Sequence, residues 1–407
     1  RLTVSLTRWL LPFLCMVAVA AAAMGMLNSL HHYFVPALAP AMFNVMTIVC
    51  AFTLVPLMPR FGQPRILGIA IAALLGGLAQ AGVQWPPLRR EGFRFAPTLD
   101  LGDPGLRQVL LLMGPGTIGL AAVQINVFVN TLLATGQGTG AVSWLNYAFR
   151  LMYLPIGLFG VSIATAVLPA VSRQVADHDL DGVRQTVVRG LSLMMMLNLP
   201  ATFGLLTLAT PIVQLLFEHG RFGPQDTEAT ASALRYYALG LVGYSTVRIA
   251  SPTFYALGRS RVPVAASVVT VALNVGLNLA LVHWMGFRGL AFGTSITSIT
   301  NGVVLLVVLA RHLRGIDGRR LLSSVTRVTL ASLVMSTVAL GTLQGLSQLL
   351  PGPSVVMQTV RLAGSIGLAL VSLAITARGL RIPEFDDAFA AVRQRLSIRT
   401  AATDGRL

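Results

Sequence analysis

Apolar runs of about 20 residues recur along the whole of this chain, and runs of that length strongly restrict how it can fold. As a helix, such a run crosses the ~30 Å hydrocarbon core of a bilayer while bonding its own backbone where no water can. The runs are continuous and lack the period-two alternation of barrel strands, which argues against a transmembrane barrel. They are also too long and too many for the core of a water-soluble domain. Hydrophobic residues make up 55% of the sequence and charged residues 11%, in keeping with a chain embedded throughout. The sequence predicts an all-α polytopic membrane protein with eleven spans, at 9–30, 39–58, 66–84, 109–134, 143–169, 190–216, 229–257, 263–285, 289–310, 328–350 and 360–378.

All 30 basic residues are arginine. Most sit in short loops between apolar spans, so they read as topological markers facing anionic lipid, and nucleic-acid binding is not expected. Counted on alternating sides, 20 arginines fall with segments 85–108, 172–189, 258–262, 311–327 and the tail from Arg378, and seven fall opposite. Arg150, Arg235 and Arg248 remain inside spans. The bias places the C-terminus in the cytoplasm of a multi-pass inner-membrane protein. Cys15 and Cys50 lie in apolar stretches and suggest no disulfide framework.

Spans one to three and seven to nine begin at positions offset by about 220 residues, and Pro36 maps onto Pro263 with a similar offset. Spacing carries this repeat, since residue identity between the copies is slight. A six-helix unit predicts that residues 1–84 are the second half of an N-terminal lobe and that 85–108 is a cytoplasmic linker. It makes 109–310 a six-helix C-terminal lobe, 311–327 a cytoplasmic loop, 328–378 two additional helices and 379–407 a basic cytoplasmic tail. The same arithmetic, with Arg1 in place of Met, leads to the expectation that three further helices precede the chain.

An ionisable residue deep in a span is unfavourable unless it is paired or faces water, and so it marks function by default. Arg150 is the best case. Ser143, Asn146, Arg150 and Gly157 share one helical face, and Pro155 interrupts the backbone ladder nearby. The blander alternative is an arginine that snorkels or bonds a neighbouring carbonyl. However, all 14 carboxylates lie in loops, near span ends or in the tail, leaving Arg150 without an intramembrane acid. An anionic ligand, or helices outside this sequence, would supply its counter-charge. Pyrophosphate suits it, because a guanidinium is a planar fork of donors that stays charged.

Arg248 stands with Tyr237, Tyr244, Ser251 and Tyr255 on one face that could line an aqueous cavity, although snorkelling explains it as well. Arg235 fits an interface anchor. Asn274 with Asn278, and Thr294 with Ser298 and Asn301, read as interhelical hydrogen bonding. Asn126 and Asn130 join Ser143, Asn146, Arg150 and Arg248 as candidate substrate-binding residues. Gly114, Pro115, Gly116, Pro155 and Gly157 are candidate hinge or packing positions. No metalloprotease, phosphate-loop or Cys/His metal pattern occurs, so neither enzymatic activity nor a metal or other cofactor is expected.

The stretches LNSLHHYFVPALAPAMFNV (27–45), QINVFVNTLLA (124–134), SWLNYAFRLMYLPIGLFGVSIATAVLPAVSR (143–173), LFEHGRF (216–222) and FYALGRSRVP (254–263) resemble the lipid II flippases. These form the MurJ/MviN branch of the superfamily that also holds multidrug extruders and polysaccharide flippases. The resemblance covers essentially the whole chain up to the basic tail. It implies a fourteen-helix transporter with two six-helix lobes around a positively lined cavity, plus two terminal helices forming a groove for the polyprenyl tail. The eleven spans would be helices four to fourteen. Arg150, in NYAFRLMYLP, matches the family's essential cavity arginine.

The other essential arginines, with an acid beside them, lie in the family's first two helices, a region this sequence lacks. The implied function is movement of undecaprenyl-pyrophosphate-linked lipid II from the inner to the outer leaflet by alternating access. The implied partners are lipid II, membrane lipids and proteins of cell-wall synthesis. The rival readings are a polysaccharide-lipid or multidrug exporter of the same superfamily and, from other classes, a membrane-bound glycosyltransferase or a scaffold. On the expectation of preceding helices, the 407-residue chain alone will not rescue flippase-depleted cells. The topology is checked by reporter fusion after Leu407: green fluorescent protein will fluoresce there and alkaline phosphatase will be inactive.

Overall fold

The structure, a computed structural model, describes residues 2–94 and 102–385. It includes their side chains except at 110–112, 114–120, 122, 123, 159, 161, 162 and 165. Among the described residues all regular structure is helical. The chain divides into two compact units, Arg1–Arg107 and Gln108–Leu407.

The first unit contains α1 (Leu2–Ser29), α2 (Phe34–Thr53), a 3-10 segment (Val55–Phe61), α3 (Arg65–Gly82) and the short α4 (Trp85–Arg90). α3 packs on both α1 and α2, which barely touch each other. Gly76 and Gly77 permit this approach: a Cβ on Gly76 would meet the Phe43 ring, and one on Gly77 would meet Phe13 and Met16. Gln84, fully buried at the end of the bundle, donates to the carbonyl of Ala20 at 3.1 Å and so ties α3 to α1.

The second unit runs from α5 (Pro104–Thr135) through α6 (Ala141–Pro155), a π turn (Ile156–Gly160) and α7 (Val161–Ala176) to the long α8 (Leu180–Phe217). It continues with α9 (Pro224–Leu239), α10 (Leu241–Ala256), α11 (Arg261–Met285), α12 (Phe287–His312), α13 (Gly318–Leu349) and α14 (Val355–Gly379). α12 packs on α9, α10 and α11 as α3 packs on α1 and α2, so the offset seen in the sequence reappears as a packing pattern. Pro36 and Pro263 each stand third in their helices, where the missing N–H has no intrahelical partner to lose.

Among the described residues, eight helical stretches are long and apolar enough to cross a membrane, including Leu2–Ser29, Leu180–Phe217 and Gly318–Leu349. The other three expected spans are helical too, but two are interrupted. Span 143–169 is split by the π turn, which follows Pro155 as expected of a residue that lacks an N–H. Span 229–257 breaks at Gly240. There Ser295 Oγ donates to the Tyr236 carbonyl at 2.6 Å and Ser298 Oγ donates to the Gly240 carbonyl at 3.2 Å. The hydroxyls of α12 thus satisfy carbonyls at the break, which in hydrocarbon would otherwise be unfavourable by several kcal/mol. α8 is kinked at Leu208 (φ −103°, ψ 15°), where Pro211 cannot bond the Thr207 carbonyl.

Helix boundaries extend past the expected spans. Asp179 accepts from the Gly182 N–H and Asp317 from the Arg320 N–H, both at N-caps, so α8 and α13 start in the polar segments before their apolar stretches. The expected loops 172–189 and 311–327 shrink to 177–179 and 313–317. In the tail at 379–407, residues 386–407 lie outside the described residues.

A Cβ on Gly243 would collide with the backbone of Ser298, whereas one on Gly276 meets nothing within 4 Å. Gly243→Leu is expected to destabilise the protein by about 3 kcal/mol and Gly276→Ala to stabilise it by up to about 1 kcal/mol. Thermal unfolding in detergent measures both.

Candidate anion-binding site on α6

α6 has two unlike faces. Ala141, Leu145, Ala148, Leu151 and Met152 are buried against a core that includes Ala209, Val213, Leu234 and Leu241. The opposite face carries Ser143, Asn146, Tyr147, Arg150 and, beyond Pro155, Gly157, all exposed. The structure therefore brings four predicted site positions, Ser143, Asn146, Arg150 and Gly157, onto one open face. Among the described residues Arg150 has neither an ion pair nor a hydrogen bond.

The other two arginines of the expected spans are held. Arg235 donates to Glu228 Oε1 at 3.1 Å and to Thr210 Oγ1 at 2.7 Å. Arg248, half-buried on α10, donates from Nη2 to the hydroxyl of Tyr153 at 2.8 Å, with its guanidinium 6.0 Å from that ring's centroid. Tyr153 is one turn beyond Arg150 on α6 and stacks at 5.5 Å on Phe149, which meets Tyr237 edge-on at 5.5 Å. Tyr244 completes the group, 6.3 Å from Tyr153. Sequence reasoning placed Arg248, Tyr237 and Tyr244 on one stripe but missed Tyr153. The available signal was its i+3 spacing from Arg150.

Asn126 and Asn130 belong to an amide ladder. Asn130 Nδ2 donates to Asn126 Oδ1 at 2.8 Å, and Asn278 Nδ2 donates to Asn130 Oδ1 at 2.6 Å and to Asn274 Oδ1 at 2.9 Å. Asn274 then donates to Thr297 Oγ1 at 3.3 Å. The ladder links α5, α11 and α12, so these amides serve helix association. Gly114, Pro115 and Gly116 fall within α5, but their side-chain positions lie outside the described residues.

At one end of α6, Trp144 Nε1 donates to Asp226 Oδ1 at 2.8 Å, while Tyr147 packs against Phe217 at 4.7 Å and Phe222 at 5.9 Å. The LFEHGRF stretch is thereby docked on α6. No group of His, Cys, Asp and Glu among the described residues has a metal-binding arrangement.

The family described as "Lipid II flippase MurJ" matches residues 1–360. A probable lipid II flippase MurJ of Vibrio cholerae is 33% identical over 363 residues, covering 89% of this chain and 68% of that protein. The lipid II flippase MurJ of Burkholderia cenocepacia is 31% identical over 315 residues, covering 76% and 60%. The chain thus spans about three-fifths to two-thirds of the length of these relatives. In structure it is similar to a lipid II flippase MurJ in an inward closed conformation (TM-score 0.73, 24% identity), covering 92% of this chain and 74% of that one. An inward-facing multidrug resistance MATE family transporter of the MOP superfamily also matches (TM-score 0.66, 17% identity), covering 76% and 71%. The chain belongs to the lipid II flippase MurJ family.

Asn278 is fully buried and donates to two other amides, whereas Asn126 stands at the end of the ladder. Asn278→Leu is expected to destabilise the protein by about 1–2 kcal/mol and Asn126→Leu by less than half of that. Unfolding midpoints in matched detergent measure the difference.

Proposed function

We propose that this member of the lipid II flippase MurJ family moves lipid II, the undecaprenyl-pyrophosphate-linked peptidoglycan precursor, from the inner to the outer leaflet of the bacterial cytoplasmic membrane. The observation that carries the reading is Arg150, the one intramembrane arginine left without a partner among the described residues. A permanent positive charge on an open face at membrane depth requires a counter-charge, and a pyrophosphate supplies one in a form that a guanidinium binds by two donors.

In this reading Arg150 contacts the pyrophosphate while Ser143 and Asn146 offer uncharged hydrogen bonds along the same face. Arg248, oriented by Tyr153, provides a second positive charge. Asn126 and Asn130 tie α5 to α11 and contact the ligand only if the ladder opens. The head group travels through the cavity while the polyprenyl tail stays in lipid, so no long apolar chain has to cross a polar site. No bond is made or broken, and the protein acts as a carrier. The breaks at Pro155 and Gly240, with the kink at Leu208, are places where helices can bend as access alternates. The C-terminus lies in the cytoplasm and proteins of cell-wall synthesis are its neighbours. A drug-extruder reading shares the fold, but nothing about Arg150 favours a cationic drug.

The test is complementation by the gene that encodes this chain in cells depleted of their own flippase. Arg150→Ala at wild-type membrane abundance is expected to abolish growth and leave lipid II on the inner leaflet of spheroplasts. Arg150→Lys is expected to give partial activity, since it keeps the charge and loses the fork. Normal growth of the alanine variant removes Arg150 from the mechanism.

A further inference from the structure

Away from the α6 face, the start of α8 and the turn joining α12 to α13 enclose a cleft of ≈ 380 Å³. Three arginines line it, Arg184, Arg314 and Arg320, with two carboxylates, Asp181 and Asp317, and the amide of Gln185. Both carboxylates are engaged. Asp181 accepts from Arg184 Nη1 at 2.5 Å, and Asp317 caps α13 through the Arg320 N–H at 3.0 Å. Arg184 also donates from Nε to the Leu313 carbonyl at 2.5 Å, which fixes the turn against α8. The guanidiniums of Arg314 and Arg320 have no partner among the described residues, and neither do the backbone N–H groups of Ile316 and Asp317. Arg314 has a φ of +56°, a conformation unfavourable for a residue with a side chain, and Gly315 follows at +109°. The turn thus holds a strained arginine at a cleft that has cationic donors to spare.

We infer that this cleft binds a phosphate-bearing anion, either the phosphodiester of an anionic phospholipid head group or free inorganic phosphate. Two free guanidiniums and two free amide N–H groups match the acceptor oxygens of a phosphate, and an anion relieves the repulsion between Arg314 and Arg320. The cleft lies where α8, α12 and α13 all reach the same end of the helical unit, so a lipid head group can enter from the bilayer surface. The occupant would clamp the α12–α13 turn to α8, independently of what the transport face carries.

The experiment titrates the purified full chain with phosphatidylglycerol by native mass spectrometry, with phosphatidylcholine as the uncharged comparison and inorganic phosphate as competitor. The Arg314→Gln/Arg320→Gln double variant is expected to lose affinity for phosphatidylglycerol by roughly thirtyfold, the loss for two basic contacts at a membrane surface. Phosphatidylcholine binding should not change. Arg319→Gln, on the first turn of α13 but outside the cleft lining, should stay within about twofold of wild type, as expected for a residue with no contact to lose. The corresponding double lysine variant should fall between, and it also serves if the glutamine variant unfolds in phosphatidylcholine. Displacement of phosphatidylglycerol by millimolar phosphate identifies free phosphate as a ligand; resistance to displacement identifies the lipid head group. Equal phosphatidylglycerol affinity in wild type and the double variants overturns the inference.

Discussion

In hydrocarbon no water stands ready to bond a polar group, and the folding of this chain depends on that constraint. Continuous helix meets it for the backbone. Where the helix is broken, another element meets it. Ser295 and Ser298 cover the carbonyls beside Gly240, and they can reach because Gly240, Gly243 and Gly302 let α12 lie against the broken pair. Several polar side chains are met in the same way, while others, such as the hydroxyls of Ser192 and Thr230, are buried without a partner among the described residues. The amides of α5 and α11 bond one another in sequence and end on the Thr297 hydroxyl of α12, Arg235 has Glu228 and Thr210, and Arg248 has Tyr153. Against that background Arg150 stands apart, and the proposed function follows from it.

The apolar spans were legible because hydrophobic length is a one-dimensional property, readable without knowing the partner of any residue. The absence of an acid for Arg150 was legible for the same reason, since every carboxylate could be placed relative to the spans. The breaks were only half legible. Pro155 announced one, but nothing local marks Gly240 as a break in place of a packing glycine, because its conformation depends on Ser295 and Ser298 some 58 residues away. Likewise the stripes of Asn126 with Asn130 and Asn274 with Asn278 were visible as helical spacing, while their joining into one ladder rests on an Asn278 to Asn130 bond across 148 residues. The Tyr153 partner of Arg248 lies 95 residues away, so its i+3 spacing from Arg150 marks a shared helix face without naming what Tyr153 bonds. The loops at 172–189 and 311–327 were overdrawn because polar helix ends read as loop when only apolar length is counted.

The structural likeness extends to a multidrug transporter at 17% identity, so the helical scaffold itself says little about cargo. What distinguishes cargo is the chemistry exposed on that scaffold. Here the chemistry exposed on α6 is a guanidinium flanked by a hydroxyl and an amide, with a second, half-buried guanidinium held by a tyrosine. That set suits a compact polyanion far better than an organic cation.

The central claim is that Arg150 binds the pyrophosphate of a lipid carrier. The most direct measurement is the affinity of the purified protein, in phosphatidylcholine nanodiscs, for a short-chain lipid II analogue, with wild type compared against Arg150→Gln. Loss of one charge-assisted bidentate contact predicts a decrease of at least about tenfold for the pyrophosphate lipid, weakening as salt is raised. An analogue in which a neutral linker replaces the pyrophosphate should bind both proteins equally. Equal affinity of wild type and Arg150→Gln for the pyrophosphate lipid would contradict the claim.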